Sequence, residues 1–169
     1  MQSIPQPADE VVSTAGEREV LEGLLAYHRD VISGKLGGLS EHEVRRRLVP
    51  SQTTLIGLVK HAAAVERNWF HHYLAQRPRE QITANARGDA ASWIVGDDET
   101  IADVIAEYHV ACAESRKIAA KFVLEDTVPN ERLGRVSLRW IYAHMIREHA
   151  RHAGHADILR EQIDGATGD

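Results

Sequence analysis

Apolar residues recur at helical spacing in four long segments of this chain, and this recurrence is the strongest constraint on its fold. In the first segment, for example, Leu21, Leu25 and Ile32 fall on one helix face. No strand-like alternation and no internal repeat stands out elsewhere in the sequence. The sequence therefore predicts an all-α protein, a four-helix bundle whose long helices span residues 16–35, 53–75, 100–122 and 137–163.

Glycine, proline and capping residues mark the breaks between these helices. Gly37 and Gly38 end the first helix, and Ser40 with Glu43 forms a capping box that opens a short accessory helix. The connection between the second and third long helices, residues 76–99, is long for a small domain, and loops of that length are usually functional or crossovers.

The segments also define the domain organisation. We expect residues 1–14, which hold two prolines and few large apolar groups, to be a flexible lead-in. Residues 15–165 are predicted to form one domain, because a chain of 169 residues can build one sizeable core but not two.

Charge and composition exclude several classes of function. The net charge of -5 argues against non-specific binding to nucleic acid. No stretch approaches the roughly 20 apolar residues of a membrane span, and the first residues lack the basic start and apolar run of a signal peptide. The only cysteine, Cys112, cannot form an internal disulfide and is interpreted as a small core residue. We therefore expect a cytoplasmic protein, either a monomer or a homodimer, with no nucleic-acid or membrane partner.

The fourth predicted helix is unusually rich in histidine. Four of the ten histidines fall between positions 144 and 155. Glu148 and His152 are four residues apart, so they lie one above the other on a helix. With His61 from the second long helix they have the composition of a metal site. Three protein ligands leave one coordination position open, as catalytic metal sites do.

Helical angles predict which other side chains surround this site. His144, Arg151 and His155 fall on the same arc as Glu148 and His152 and are expected to face the bundle interior, whereas His149 is expected to point into solvent. Buried imidazole, carboxylate and guanidinium groups are unfavourable unless they pair or bind a metal.

Structural interpretations of the same residues remain open at this point. Glu148 could pair with Arg151 or with His152 on a hydrated face, and an inward histidine is often a hydrogen-bonded core residue. His71 and His72, at the end of the second helix, are interpreted as surface residues.

Several segments together resemble the DinB-like superfamily of four-helix metalloenzymes, in its mycothiol-dependent branch of mycothiol S-transferases and maleylpyruvate isomerases. The segments that carry the resemblance are Glu17-Arg-Glu19, Gly38-Leu-Ser40, Arg46-Arg-Leu-Val-Pro-Ser51, Thr53-Thr-Leu-Ile-Gly-Leu-Val-Lys-His61, Val65-Glu-Arg-Asn-Trp-Phe70, Ser137-Leu-Arg-Trp140 and Arg151-His-Ala-Gly-His-Ala-Asp-Ile-Leu-Arg160.

The resemblance implies that His61, Glu148 and His152 are the metal ligands. Many superfamily members have histidine where this chain has Glu148, but the isomerase branch also places glutamate there. A mixed set of two histidines and one glutamate suits Zn²⁺ and also Ni²⁺, Mn²⁺ or Fe²⁺, and the resemblance favours zinc.

The activity implied by the resemblance is zinc-dependent transfer of a low-molecular-weight thiol, mycothiol, to an electrophile. Zinc would stabilise the thiolate, while His144 and His155 are the candidates for a catalytic role. Arg139 and Arg151 would contact polar groups of the thiol, although Arg139 could instead cap a helix or pair with Glu66.

Trp93, in the long connection, is also expected to contact the small molecules. With the rest of residues 76–99, it is predicted to supply the apolar subsite for the electrophile.

Two alternatives of different classes accompany this prediction. A hydrolase would use a zinc-activated water at the same open position, with His144 or His155 as the base. A non-enzymatic metal-binding or ligand-binding stress protein would need only the ligands. The chain is shorter than the isomerases that it resembles and is expected to lack their additional C-terminal domain, which argues against maleylpyruvate isomerisation itself.

Overall fold

The predicted helical bundle is confirmed by the computed structural model, which describes residues 8–168. Four long helices dominate it, with two single-turn helices and a small hairpin. The helices are α1 (Ala8–Val11), α2 (Glu17–Gly34), α3 (Glu41–Val44), α4 (Leu55–Glu66), α5 (Ile101–Ala119) and α6 (Leu138–Asp164), and the strands are β1 (Thr127–Asn130) and β2 (Gly134–Ser137). The short helix α1 lies within the predicted lead-in, whose residues 1–7 are outside the described part of the chain.

Side-chain caps fix where the helices begin. The hydroxyl of Ser40 accepts a hydrogen bond from the backbone of Glu43, as the capping box predicted. Thr100 and Ser137 cap α5 and α6 in the same way. The sequence therefore sets the start of α6, and with it the angular position of every side chain along that helix.

Helix α4 does not continue as an α-helix to residue 75. From Arg67 to Leu74 the chain forms a π-helix, in which the backbone N–H of Ala75 donates to the carbonyl of Phe70, five residues earlier. The wider turn changes which side chains face inward. His71 is buried, and its Nε2 lies 3.1 Å from the carbonyl oxygen of Ala111. The prediction that His71 lies on the surface was therefore wrong.

A two-stranded antiparallel hairpin precedes the last helix, although no strand-like alternation stood out in the sequence there. Its register runs from Thr127 opposite Ser137 to Asn130 opposite Gly134. The strands have only four residues each, so alternation could not reveal them. The hairpin ends directly at Ser137, the residue that caps α6.

The long connection folds back onto α4 instead of leaving the bundle. It contains two 3₁₀ turns, Arg79–Gln81 and Ala90–Trp93. Gly57 permits the close approach of the second turn, because a β-carbon at that position would lie 2.9 Å from the carbonyl oxygen of Trp93. The segment around Trp93 is therefore held against the face of α4 that carries His61.

The core consists of two apolar clusters with a polar layer between them. Helix α2 packs on α6, α4 packs on α5, and α4 also contacts α6. One cluster is built around Leu58 and Ala153, and the other around Leu25 and Met145. The metal-ligand candidates are carried by α4 and α6. None of the described helices is long and apolar enough to cross a membrane.

Candidate metal centre

Three side chains from two helices converge where α4 faces α6. Nε2 of His61 lies 3.8 Å from Oε1 of Glu148, and Nε2 of His152 lies 3.0 Å from the same oxygen. The possible ligand atoms of the three residues all lie within 4.8 Å of one another. Two ligands of one tetrahedral zinc ion, each about 2.1 Å from it, are roughly 3.4 Å apart. The three side chains therefore fit a single divalent ion after small rotations.

The cluster is open on one side. The side chains of His61 and His152 retain 6% and 10% of their exposure, whereas that of Glu148 retains 24%. A site with three protein ligands and one accessible side has room for a small molecule as the remaining ligand.

A serine in the long connection sets the tautomer of His61. The Oγ of the buried Ser92 lies 2.7 Å from Nδ1 of His61. The same hydroxyl donates its proton to the carbonyl of Asp89. Since the hydroxyl has only one proton, it must accept from His61, which places the imidazole proton on Nδ1. The lone pair of His61 is then on Nε2, the atom that faces Glu148, as a metal ligand requires.

Trp93 and Gly88 enclose the other sides of His61. The Trp93 ring stacks on the His61 ring, with centroids 4.0 Å apart and planes 15° apart. Gly88 has a φ of +64°, and a β-carbon there would lie 3.3 Å from Val65 and 3.8 Å from His61. These contacts fix the plane of the imidazole.

Glu148 is held in its ionised form. The hydrogen bond with His152 and the proximity of the His61 imidazole lower the pKa of this carboxyl well below its usual range, against the opposing effect of partial burial. A metal ligand must be deprotonated, so the carboxylate is ready to bind an ion at neutral pH. In contrast, Nδ1 of His152 is buried without a hydrogen-bond partner among the described residues.

His144 borders one flank of the cluster. Its ring packs against Trp69 at 4.4 Å and lies nearly parallel to Trp140 at 5.0 Å, and its Nδ1 is 2.9 Å from Nη2 of Arg147. Burial and the charge of Arg147 lower its pKa. Because Arg147 is a donor, Nδ1 of the neutral ring accepts and Nε2 carries the proton.

His155 borders the other flank. Its ring centroid lies 5.6 Å from that of His152, and the residue is exposed. Partial burial, followed by the influence of His152 and Arg151, lowers its pKa. His155 makes no side-chain hydrogen bond to any described residue, so its neutral ring has a nitrogen free to accept a proton. Of the two flanking histidines, His155 is the better placed to act as a base.

The two arginines predicted to contact a thiol lie in different environments. Arg151 is exposed close to His155. Arg139 pairs with Glu17 at 2.7 Å and with Glu125 at the start of α6, about 13 Å along the helix from Glu148. Arg139 therefore does not reach the cluster, and it does not pair with Glu66 as the alternative proposed.

The interior face of α6 is rotated from the one predicted. Met145, His149 and Ala156 are buried, whereas Arg151 and His155 are exposed. The predicted arc was centred on the polar residues, but the bundle buries the neighbouring face that packs on α2. The predictions that His149 is solvated and that Arg151 and His155 face the interior were wrong. The metal cluster lies at the edge of the buried face.

His149 belongs to a buried polar layer beneath the cluster. Arg29 donates two hydrogen bonds to Glu66, from Nε to Oε1 at 2.8 Å and from Nη2 to Oε2 at 2.7 Å. Nε2 of His149 lies 3.4 Å from the same carboxylate. Glu66 has no exposed surface; its burial opposes ionisation, but the paired Arg29 outweighs this and lowers its pKa.

Ser92 and Gly88 are the site residues that sequence reasoning missed. Neither falls in a helix, and their contacts with His61 depend on how residues 76–99 fold back, which no periodic pattern encodes. The adjacent Trp93 was noticed, but its packing on His61 was not predicted.

A helical bundle with an open His–Glu–His cluster between two of its helices places the chain in the class of four-helix bundles that carry a candidate metal site. Comparison with protein families is more specific. The family model described as mycothiol-S-transferase matches residues 20–165, and this chain belongs to that family. A search of curated proteins returned no match.

Proposed function

We propose that this protein is a zinc-dependent thiol S-transferase that joins mycothiol to an electrophile. The observation that carries the proposal is the open cluster of His61, Glu148 and His152 in a chain of the mycothiol S-transferase family. The identity of the ion as zinc and the identity of the thiol as mycothiol are both part of this proposal.

The three ligands suit a divalent ion in both charge and protonation. Glu148 contributes one negative charge, and the neutral imidazoles of His61 and His152 contribute none. A divalent ion held there would supply the Lewis acidity that ionises a thiol, whose free pKa is about 8.5, at neutral pH. The open side by Glu148 gives the sulfur access to the cluster.

His155 takes the thiol proton in this mechanism. Its neutral ring lies beside His152 and has a free nitrogen. The sulfur lone pair forms the new bond to the electrophilic carbon, and the bonding pair of the carbon–halogen bond leaves with the halide. The proton passes from the thiol to His155 and then to solvent. The products are a thioether, a halide ion and a proton, so charge and atoms balance.

The other flanking residues bind and position the thiol. Arg151, exposed beside His155, is proposed to contact polar groups of the thiol. His144 is proposed to line the opposite flank as a hydrogen-bond donor through Nε2, since its Nδ1 is engaged by Arg147. Trp93 is proposed to act through His61, whose ring it holds in place.

The experiment that tests this function is turnover of monobromobimane with mycothiol and with glutathione, in zinc-loaded and chelator-treated protein. We expect zinc-dependent conjugation with mycothiol preferred. Turnover that is unchanged after zinc removal would contradict the proposed role of the site.

An assay of amide hydrolysis, run beside the conjugation assay, distinguishes the hydrolase alternative. His155 could equally accept a proton from water, so a hydrolase would use the same side chains. Zinc-dependent hydrolysis of amide substrates without any thiol conjugation would favour that alternative.

A further inference from the structure

A shallow apolar groove adjoins the metal cluster on the side of His155. It encloses about 300 Å³ between the C-terminal half of α6 and the segment that leads into α4. Its walls are formed by Val49, Ser51, Thr53, His155, Ile158 and Leu159.

Two neighbouring residues of α6 give the groove its apolar surface. Leu159 is 3% exposed and forms the base, whereas Ile158 is 55% exposed at the rim. Single exposed apolar side chains such as Val110 are ordinary on protein surfaces. Ile158 differs from Val110 because it borders a concavity that has two further apolar walls, Val49 and Leu159.

The groove adjoins the candidate metal centre through one residue, His155. His155 lines it, and the His155 ring is 5.6 Å from the ring of His152. A small molecule in the groove would therefore place one end beside His155, at the flank of the cluster.

The chemistry of the walls selects a neutral, apolar occupant. The groove has no charged side chain, and its only polar side chains are two hydroxyls and one imidazole. Its volume matches a small molecule. A larger cavity of about 460 Å³ lies between α2 and α5, but it is lined by charged residues such as Glu19 and Glu22 and by neither of the histidines that flank the cluster.

We propose that this groove is the subsite for the apolar part of the electrophile. Preferred substrates are then neutral electrophiles with an aliphatic or aromatic group, oriented with the reactive carbon toward His155 and the cluster. This inference rests on the proposed transferase function. It places the electrophile subsite on α6 and at Val49 and Thr53, instead of at Trp93 as the sequence suggested.

The test is a series of N-alkyl bromoacetamides, from methyl to hexyl, with zinc-loaded protein and mycothiol. In each reaction the carbon–sulfur bond forms as bromide leaves with its bonding pair, and the thiol proton goes to His155. Complete burial of one methylene corresponds to about fourfold in binding. We therefore expect kcat/KM to rise about twofold to fourfold per methylene until the groove is filled.

Ile158→Asp and Val110→Asp form a matched pair of variants. Ile158→Asp should greatly reduce the ratio of kcat/KM for the hexyl and methyl substrates. Val110→Asp, at an exposed position on α5 outside the groove, should leave that ratio unchanged. A flat series in the wild-type protein, or equal ratios in the wild-type protein and Ile158→Asp, would overturn the proposal.

A binding measurement without thiol distinguishes failure of the subsite from failure of the function. Hexan-1-ol added to zinc-loaded, methyl-labelled protein should shift the NMR signals of Ile158, Leu159 and Val49, with shorter alcohols binding more weakly. Such shifts without any thiol conjugation would support the groove and reject the transferase function. Absence of these shifts together with a rising substrate series would place the subsite elsewhere and overturn the proposal.

Discussion

A histidine binds a metal ion through the ring nitrogen that carries no proton, so the choice of the protonated nitrogen decides whether it can be a ligand. In His61 that choice is made by Ser92, whose single hydroxyl proton is donated to Asp89. Metal-binding histidines usually donate their second N–H in this way, which fixes both the tautomer and the plane of the ring.

Replacing Ser92 should weaken metal binding without removing any ligand. We expect Ser92→Ala to lower zinc affinity by about 10-fold to 100-fold, the usual effect of losing such a partner. Ser92→Thr keeps the hydroxyl and should retain most of the affinity. Competition with a chromophoric chelator measures both constants, and equal affinities of the alanine variant and wild type would contradict the role of Ser92.

Removing a ligand should have a larger effect. His61→Ala and His152→Ala are each expected to lose most of the bound metal while keeping their helical circular dichroism, because the cluster lies at the edge of the core. His109→Ala, at an exposed position on α5, is a suitable control. His149 is not, because it is buried against Glu66. Full metal occupancy in both ligand variants, measured by elemental analysis, would exclude this ligand set.

At the scale of helices, a polar layer joins α2, α4 and α6 through Arg29, Glu66 and His149. The layer separates the two apolar clusters of the core. Removing one partner of a buried ion pair leaves the other charge without compensation, which typically costs 3–5 kcal/mol.

Glu66→Gln should therefore reduce the free energy of unfolding by about 3–5 kcal/mol in urea denaturation. The matched control is Glu114→Gln, which breaks the half-exposed pair of Glu114 with Arg77 at 3.1 Å. That change should cost less than about 1 kcal/mol. Equal and small effects of the two substitutions would show that the buried pair does not stabilise the bundle.

The same layer predicts acid sensitivity of the metal-free protein. Burial lowers the pKa of His149 from 6.5 to about 4, with the charge of Glu66 opposing the shift. Between those two values the unfolded chain binds more protons than the folded one, so the free energy of unfolding falls as pH decreases from 6.5 to 4. His149→Gln should reduce this pH dependence and His109→Gln should not; identical pH profiles in urea titrations would contradict the assignment.

The positions of the helices could be predicted from the sequence better than which face of each helix is buried. Helix positions and the caps at Ser40 and Ser137 follow from local patterns, so they could be predicted. The inward rotation of His71 depends on a π-helix, and the burial of His149 depends on how α6 packs against α2. Both are tertiary effects that helical angles measured along one segment do not contain.

The candidate site was predictable to the extent that it lies on regular helices. His61, Glu148 and His152 could be brought together from their spacing and from the family resemblance. Ser92 and Gly88 reach His61 only because the long connection folds back over α4. The apolar groove is formed by α6 together with the segment before α4, so the sequence of either segment alone does not predict it.

At the scale of the whole molecule, the residues that stabilise the fold are different from those that form the candidate metal site. Two apolar clusters and a buried ion pair stabilise the bundle, while the proposed ion occupies an open edge between α4 and α6. The central claim is that this edge binds a metal ion and that a thiol sulfur completes its coordination.

The most direct test is the absorption spectrum of cobalt-substituted protein titrated with mycothiol. We predict a thiolate-to-cobalt charge-transfer band that saturates at one thiol per chain, and no such band in His152→Ala. A spectrum with cobalt bound but unchanged by saturating mycothiol and by glutathione would contradict the claim that the site is built for sulfur.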